Sequence, residues 1–336
     1  MLTPKENYLR LLNHETCEYI PHQLVDSAMV GFGVTNGPWF EKGPQNGGYD
    51  GFGVMWEPAP FVSSGPIPKQ EFILEDITDW KKIKFPDLND FDWEGVSKAE
   101  LASIDRNQVL VEYGCGNGIY ERLAALMGFE NALISLAMEP EACDDFFKAL
   151  TDYKIDFATQ VKKYYNPDIF NNYDDIATEA GLFMSPSCYR ELLKPHHKRL
   201  YEAVKDMGMF VTQHTCGKAE ALVEDFIEIG VDTWSSVQPS NDISTLIQKY
   251  GNKMNFAGGF NTNGPAAMAG ADNEILINEI HRCFDTYGKY NKGYVFFGFL
   301  MNPDLNEFME KMDVMMGESL SYRMQDSVRP SIDIQE

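Results

Sequence analysis

The sequence predicts an α/β fold: a (β/α)8 TIM barrel, distorted, with an irregular N-terminal excursion, forming a single domain over residues 1–336. Three observations predict it. Short apolar runs alternate with amphipathic segments from residue 108 onward, and that rhythm demands parallel strands joined by right-handed crossovers. The length of 336 residues exceeds an average domain of ~150 but is ordinary for an α/β barrel. No G-x-G-x-x-G follows the first strand, which argues against a doubly wound dinucleotide-binding sheet.

The elements follow in order. Thr3, Pro4 and Glu6 read as an N-cap, a first helical position and a capping-box partner, so a helix is expected over residues 4–13. Tyr19-Ile20-Pro21 leads to a strand near residues 22–26. Residues 31–100 form the irregular insertion between early strands. Gly31, Gly33, Gly37, Gly43, Gly47, Gly48, Gly51, Gly53 and Gly65 crowd its first part. Long irregular excursions in compact domains are usually functional. Residues 71–100 are acidic, carry Trp80 and Trp93, and should hold a short helix and a connecting loop. Val109-Leu110-Val111 reads as a buried strand, and residues 119–127 as a helix. Ala142, Phe146, Ala149, Leu150, Tyr153, Phe157 and Val161 recur at helical spacing and mark a helix over residues 140–164. Asp168-Ile169-Phe170 is a strand. Ser185-Pro186 opens a helix that ends at Gly208. Strands at 209–212, 231–234, 254–257 and 294–297 then alternate with helices at 219–229, 243–250, 274–287 and 305–316. Gly230 and Gly251 close two of those helices. These are seven strands, and an eighth is expected near residues 133–136.

Charge narrows the function. Lys+Arg number 28 against 51 Asp+Glu, a net −23. Such a surface repels phosphate backbones and anionic lipid, so neither nucleic acid nor membrane is an expected partner. It admits a neutral or cationic small molecule. No apolar run approaches the ~20 residues of a membrane span, and no apolar signal segment follows Met1. The six cysteines are scattered without paired spacing and read as reduced thiols. The expected location is the cytoplasm.

In a barrel the active site lies at the C-terminal ends of the strands. The sequence places Asp26 there, then Glu112, Tyr113 and Cys115, then Asp174, Asp175, Thr178 and Glu179. Gln213, His214, Thr215 and Cys216 follow, then Gln238, then Asn261 and Asn263. His214 and Cys216 stand two apart at a strand end, so they point to one side. Both suit zinc, and Gly217 lets the chain turn tightly. The alternative is a hydrogen-bonded pocket histidine beside a small buried thiol. A catalytic zinc site usually has three protein ligands, so this pair needs a third. Of Asp174 and Asp175, one should face the mouth and the other cap a neighbouring segment. Glu179 could ligate metal, act as a base or hold a cation. Asp50, Trp56, Tyr113, Asp175, Gln238 and Asn261 are the candidates for holding substrate. Gly114-Cys115-Gly116-Asn117-Gly118 lacks the third glycine and the lysine of a phosphate loop.

Five segments carry a resemblance. They are Leu2-Thr3-Pro4-Lys5-Glu6 with Ile20-Pro21, then Asp50-Gly51-Phe52-Gly53-Val54-Met55-Trp56, then Asp174-Asp175 with Gly181-Leu182-Phe183-Met184-Ser185-Pro186, then His214-Thr215-Cys216-Gly217, then Phe256-Ala257-Gly258-Gly259-Phe260-Asn261-Thr262. Together they resemble the uroporphyrinogen decarboxylase superfamily nearly end to end, and most closely its cobalamin-dependent methyltransferases. The resemblance implies a distorted TIM barrel. It also implies methyl transfer from a small O- or N-methylated compound to the cobalt of a separate corrinoid protein. No D-x-H-x-x-G segment is present, so the cobalamin would be carried by that partner. In the resemblance His214 and Cys216 match two zinc ligands. The third, a cysteine near the last strand, is missing: Phe296-Phe297-Gly298-Phe299-Leu300 stands there. A carboxylate such as Glu179, or Cys115, could replace it. Glu179 and Glu112 are the candidate catalytic residues. The stretch after Pro21 has no arginine to grip propionates, which counts against the alternative of a cofactor-independent decarboxylase of a porphyrinogen-like substrate. A further alternative is a non-catalytic protein that binds a small molecule or a corrinoid partner.

Overall fold

The computed structural model describes residues 2–31, 41–62 and 64–325, so Gly33 and Gly37 lie outside the described residues. Seven parallel strands form one sheet: β1 (Ser27–Val30), β2 (Leu110–Cys115), β3 (Ile169–Tyr173), β4 (Phe210–His214), β5 (Thr233–Val237), β6 (Asn255–Gly259) and β7 (Tyr294–Phe297). They pair in chain order, each with the next. The sheet curls. His22, just ahead of β1, bridges Phe296 of β7, and the Phe296 amide donates to the Pro21 carbonyl at 2.9 Å.

Two expectations are corrected here. The first strand begins later than residues 22–26, because Gln23–Asp26 form one helical turn. His22 drives that turn locally: its ring Nδ1 accepts from the Leu24 amide, and its own amide donates to Asp26. Arg323 pins the buried Asp26 carboxylate at 2.6 Å. The eighth strand near residues 133–136 does not exist. Those residues lie inside helix Phe129–Met138, where Ala132 and Leu136 share its buried side. A short apolar run does not by itself distinguish strand from helix. Among the described residues the parallel sheet has seven strands, not eight.

The helices otherwise follow the local rules. Thr3 and Glu6 complete the capping box of helix Pro4–Leu12. The segment after Ser185 is continuous but contains a wide π-type turn, Tyr189–Leu193, before helix Lys194–Asp206. Pro195 has no amide to donate, and the widened turn absorbs that loss. The last helix runs on to Tyr322. No helix among the described residues is long and apolar enough to cross a membrane.

Alternation along the strands sorts the side chains. Tyr113, Phe170 and Trp234 face the surrounding helices; Tyr113 packs on Phe157 and Tyr165, and Trp234 on Phe226. Leu110, Ile169, Ala257, Val295 and Phe297 pack together with Tyr8, Leu11 and Leu12. Helix Pro4–Leu12 therefore closes the end of the sheet where the strands begin.

Among its described residues the excursion carries three short antiparallel strands, Gly48–Tyr49, Met55–Glu57 and Ile67–Pro68. Arg122 anchors it from helix Ile119–Met127. Its guanidinium meets Asp50 at 2.6 Å, with both side chains fully buried. It also lies 4.0 Å from the Phe52 ring centroid and bonds the Glu41 carbonyl. The Glu41 carboxylate pairs in turn with buried Lys154.

Candidate active site

His214 is the last residue of β4, and Tyr173 the last of β3. The two are in register, with their rings stacked at 4.2 Å. The residues two further along each chain are therefore neighbours as well. The Cys216 amide donates to Asp175 Oδ1 at 2.7 Å. One ligand atom each from Asp175, His214 and Cys216 lies within 4.8 Å of the others, a group that could hold a metal ion. His214 Nε2 and Cys216 Sγ are 3.6 Å apart. A tetrahedral zinc, with bonds of ~2.0–2.1 Å to nitrogen and ~2.3 Å to sulfur, sets those ligands about 3.6 Å apart. Gly217 makes the turn possible. Its φ is +82°, and a Cβ there would sit 2.5 Å from the Thr178 carbonyl oxygen.

A hydrogen-bond relay orients His214. Glu112 accepts from Gln23 Nε2 at 2.9 Å, from Ser27 and from Asn171. With its amide nitrogen committed, Gln23 offers its oxygen to the Ser235 hydroxyl at 3.3 Å. Ser235 Oγ is then an acceptor for His214 Nδ1, 3.4 Å away. The proton belongs on Nδ1, and Nε2 keeps the lone pair that faces Cys216. A second partner that fixes the tautomer in this way is typical of metal-bound histidine.

The charges suit a cation. Burial, then Lys42, lowers the His214 pKa to about 3, which keeps the ring neutral. Burial, then the Asp175 charge, pushes the Cys216 thiol up. Burial raises Asp175 to about 6. Burial disfavours both anionic forms, and a divalent ion at their centre would favour them. Asp174 takes the capping role instead. It accepts from the Tyr120 and Glu121 amides at the start of helix Ile119–Met127 and bonds His197 Nε2 at 2.8 Å.

Asp175 also borders a cavity of about 370 Å³ between the excursion and helix Ile119–Met127. Trp56, Phe72, Tyr120, Phe129 and Phe183 give it an aromatic wall; Lys42, Gln70, Asn117 and Glu121 join Asp175 in its polar lining.

The remaining candidates divide by placement. Trp56 lines the cavity, with its indole nitrogen on Asp50 at 3.0 Å. Asp50 is committed to Arg122 and to the Phe52 and Val54 amides. Tyr113 faces the helices. Gln238 accepts from the Gly217 amide at 3.0 Å and so braces the turn after Cys216. Asn261 accepts from the Asn263 amide. Glu179 is exposed, bonded to Asn263 at 3.2 Å, and Cys115 is buried 3.8 Å from Lys154 Nζ. Neither is part of the three-residue group; the third member is Asp175. Gln23, Lys42, Glu121 and Ser235 were not among the sequence candidates. Gln23 and Ser235 are uncharged, Lys42 lies in the irregular insertion, and Glu121 looks like any charged helix position.

A curled parallel sheet with helices outside and a possible metal group beyond its strand ends defines a TIM-barrel-like α/β class. The family model described as uroporphyrinogen decarboxylase (URO-D) matches residues 108–309, and the chain belongs to that family. Among solved structures, a methyltransferase from Methanosarcina mazei superposes with a TM-score of 0.70 at 12% identity, covering 96% of this chain and 99% of that one. D-psicose 3-epimerase with D-tagatose from Clostridium cellulolyticum H10 reaches a TM-score of 0.42 at 10% identity, covering 69% of this chain and 84% of that one. An AP endonuclease, family 2, from Brucella melitensis reaches 0.39 at 10% identity, covering 69% and 85%. No curated protein sequence matches the chain.

Proposed function

We propose that this protein is a single-domain cytoplasmic methyltransferase. It moves a methyl group from a small O- or N-methylated compound to the cobalt of a corrinoid carried by a separate protein. The observation that carries the reading is the Asp175–His214–Cys216 group, whose Asp175 borders the cavity, in a URO-D family member. The likeness in fold to a methyltransferase agrees with it.

His214 Nε2, Cys216 Sγ and the Asp175 carboxylate would hold zinc. When bound, the metal supplies Lewis acidity to the leaving heteroatom, whose basicity otherwise makes the methyl group a poor electrophile. The bond between methyl and heteroatom would break with its electron pair left on the heteroatom, and the methyl acceptor, the partner's reduced cobalt, would bring the pair for the new bond to carbon. The chain's own residues position and shield. Glu112, Gln23 and Ser235 hold the imidazole in one tautomer, so Glu112 is a positioning residue. Gln238 braces the turn that presents Cys216. Trp56 lines the substrate space, and Asp50 fixes that wall.

Metal analysis of purified wild type and His214→Ala tests the centre. The two should differ by about one zinc per chain; equal, near-zero contents reject the zinc. The activity is tested by the absorbance change of a corrinoid protein on methylation. Carbon dioxide release from a porphyrinogen without any corrinoid would move the assignment to a decarboxylase.

A further inference from the structure

Lys42 and Glu121 line the same cavity, and the proposed chemistry uses neither. Both are half-buried. Three buried cations are each paired with a carboxylate: Arg122 with Asp50, Lys154 with Glu41, Arg323 with Asp26. Lys42 and Glu121 make no direct ion pair among the described residues, although the Lys42 charge reaches Glu121. The Lys42 ammonium lies 5.7 Å from the centroid of the Trp56 ring, and its charge is felt by Asp175 and His214. It therefore lies on the side of the metal group. Glu121 lines the cavity from the first turn of helix Ile119–Met127, beside Asp175.

The charge balance is specific once the metal group is filled. A divalent ion, the Asp175 carboxylate, the Cys216 thiolate and a neutral imidazole sum to zero. One fixed cation, Lys42, and one anion, Glu121, then remain along an aromatic wall. A ligand complementary to that lining carries both charges and an apolar body. Trp56, Phe72, Phe129 and Phe183 supply the apolar contacts and, towards an ammonium, their ring faces. The volume of about 370 Å³ suits a small molecule, not a macrocycle with eight carboxylates.

We propose that the substrate is a zwitterion: its ammonium is held by Glu121, its carboxylate by Lys42, and its methylated heteroatom lies towards Asp175. The placement of the methyl group rests on the methyl-transfer reading. The recognition of the two charges stands without it.

Calorimetric binding to the metal-loaded protein tests this with three probes: O-methyltyrosine, its desamino analogue and its descarboxy analogue. Wild type should bind O-methyltyrosine at least about tenfold more tightly than either analogue. Glu121→Gln should remove the advantage over the desamino analogue and leave that analogue's own affinity unchanged. Lys42→Met should do the same for the descarboxy analogue. The retained probe in each case shows that the variant is folded, and the wild-type comparison needs no variant. Equal binding of all three probes by wild type, or binding of none, overturns the proposal. So does parallel loss of every probe in both variants when their thermal melts match wild type. Cobalt methylation, read by absorbance, separates the two readings. The predicted binding pattern without methyl transfer rejects the methyltransferase and keeps the zwitterion site. Methyl transfer from a neutral ether, unaffected by either substitution, does the reverse.

Discussion

The two ends of the curled sheet are built from the same strands and have opposite character. Where the strands begin, Leu110, Ile169 and Val295 pack with Leu11 and Leu12 of the N-terminal helix. Two residues along, Glu112 and Asn171 face each other in a polar layer. At and beyond the strand ends stand His214, Cys216 and Asp175. Inward positions recur every second residue, about 7 Å apart. One strand thus passes from hydrocarbon to a buried carboxylate in a single repeat. The apolar end gains from burying area, while the polar end must satisfy each buried group with a partner. The first tolerates substitution by volume. The second depends on particular atoms.

That contrast can be broken from either side. The largest effect is expected from Cys216→Ala or His214→Ala. Each should abolish stoichiometric zinc and lower methyl transfer by about a hundredfold or more with little change in fold, as metal content and kinetics will show. Next is Arg122→Met, which strands the buried Asp50. It should cost about 3–5 kcal/mol in denaturant unfolding and loosen the cavity wall. Leu11→Ala at the apolar end should cost about 2–5 kcal/mol while zinc content stays the same. Zinc loss there would mean that the two ends are coupled. Ser235→Ala cuts the relay behind His214 and should weaken metal affinity about 10–100-fold, measured against a competing chelator. An unchanged affinity would reject the relay. Smallest is Glu179→Gln at the exposed rim, with a stability change within about 0.5 kcal/mol and turnover close to wild type.

The alternation of strands and helices was legible because each element has its own periodicity and caps. Thr3 with Glu6, and Ser185 with Pro186, are local signals, and the structure keeps both. The helix at Phe129–Met138 was not legible as a helix, since its apolar run fits either period. The pairing of His214 with Cys216 could be read from spacing. Asp175 as their third member could not, because its place depends on the register between β3 and β4.

By itself, then, the sequence determined the α/β class, and its spacing paired His214 with Cys216, two residue types that suit zinc. These follow from short-range pattern: period, cap and spacing. The tertiary structure decided that seven strands make the parallel sheet among the described residues, that Asp175 joins His214 and Cys216 in a group that could hold a metal ion, and that Lys42 and Glu121 line one cavity with Trp56. Those depend on contacts between segments far apart in the chain, where register and packing, rather than local preference, determine which atoms meet.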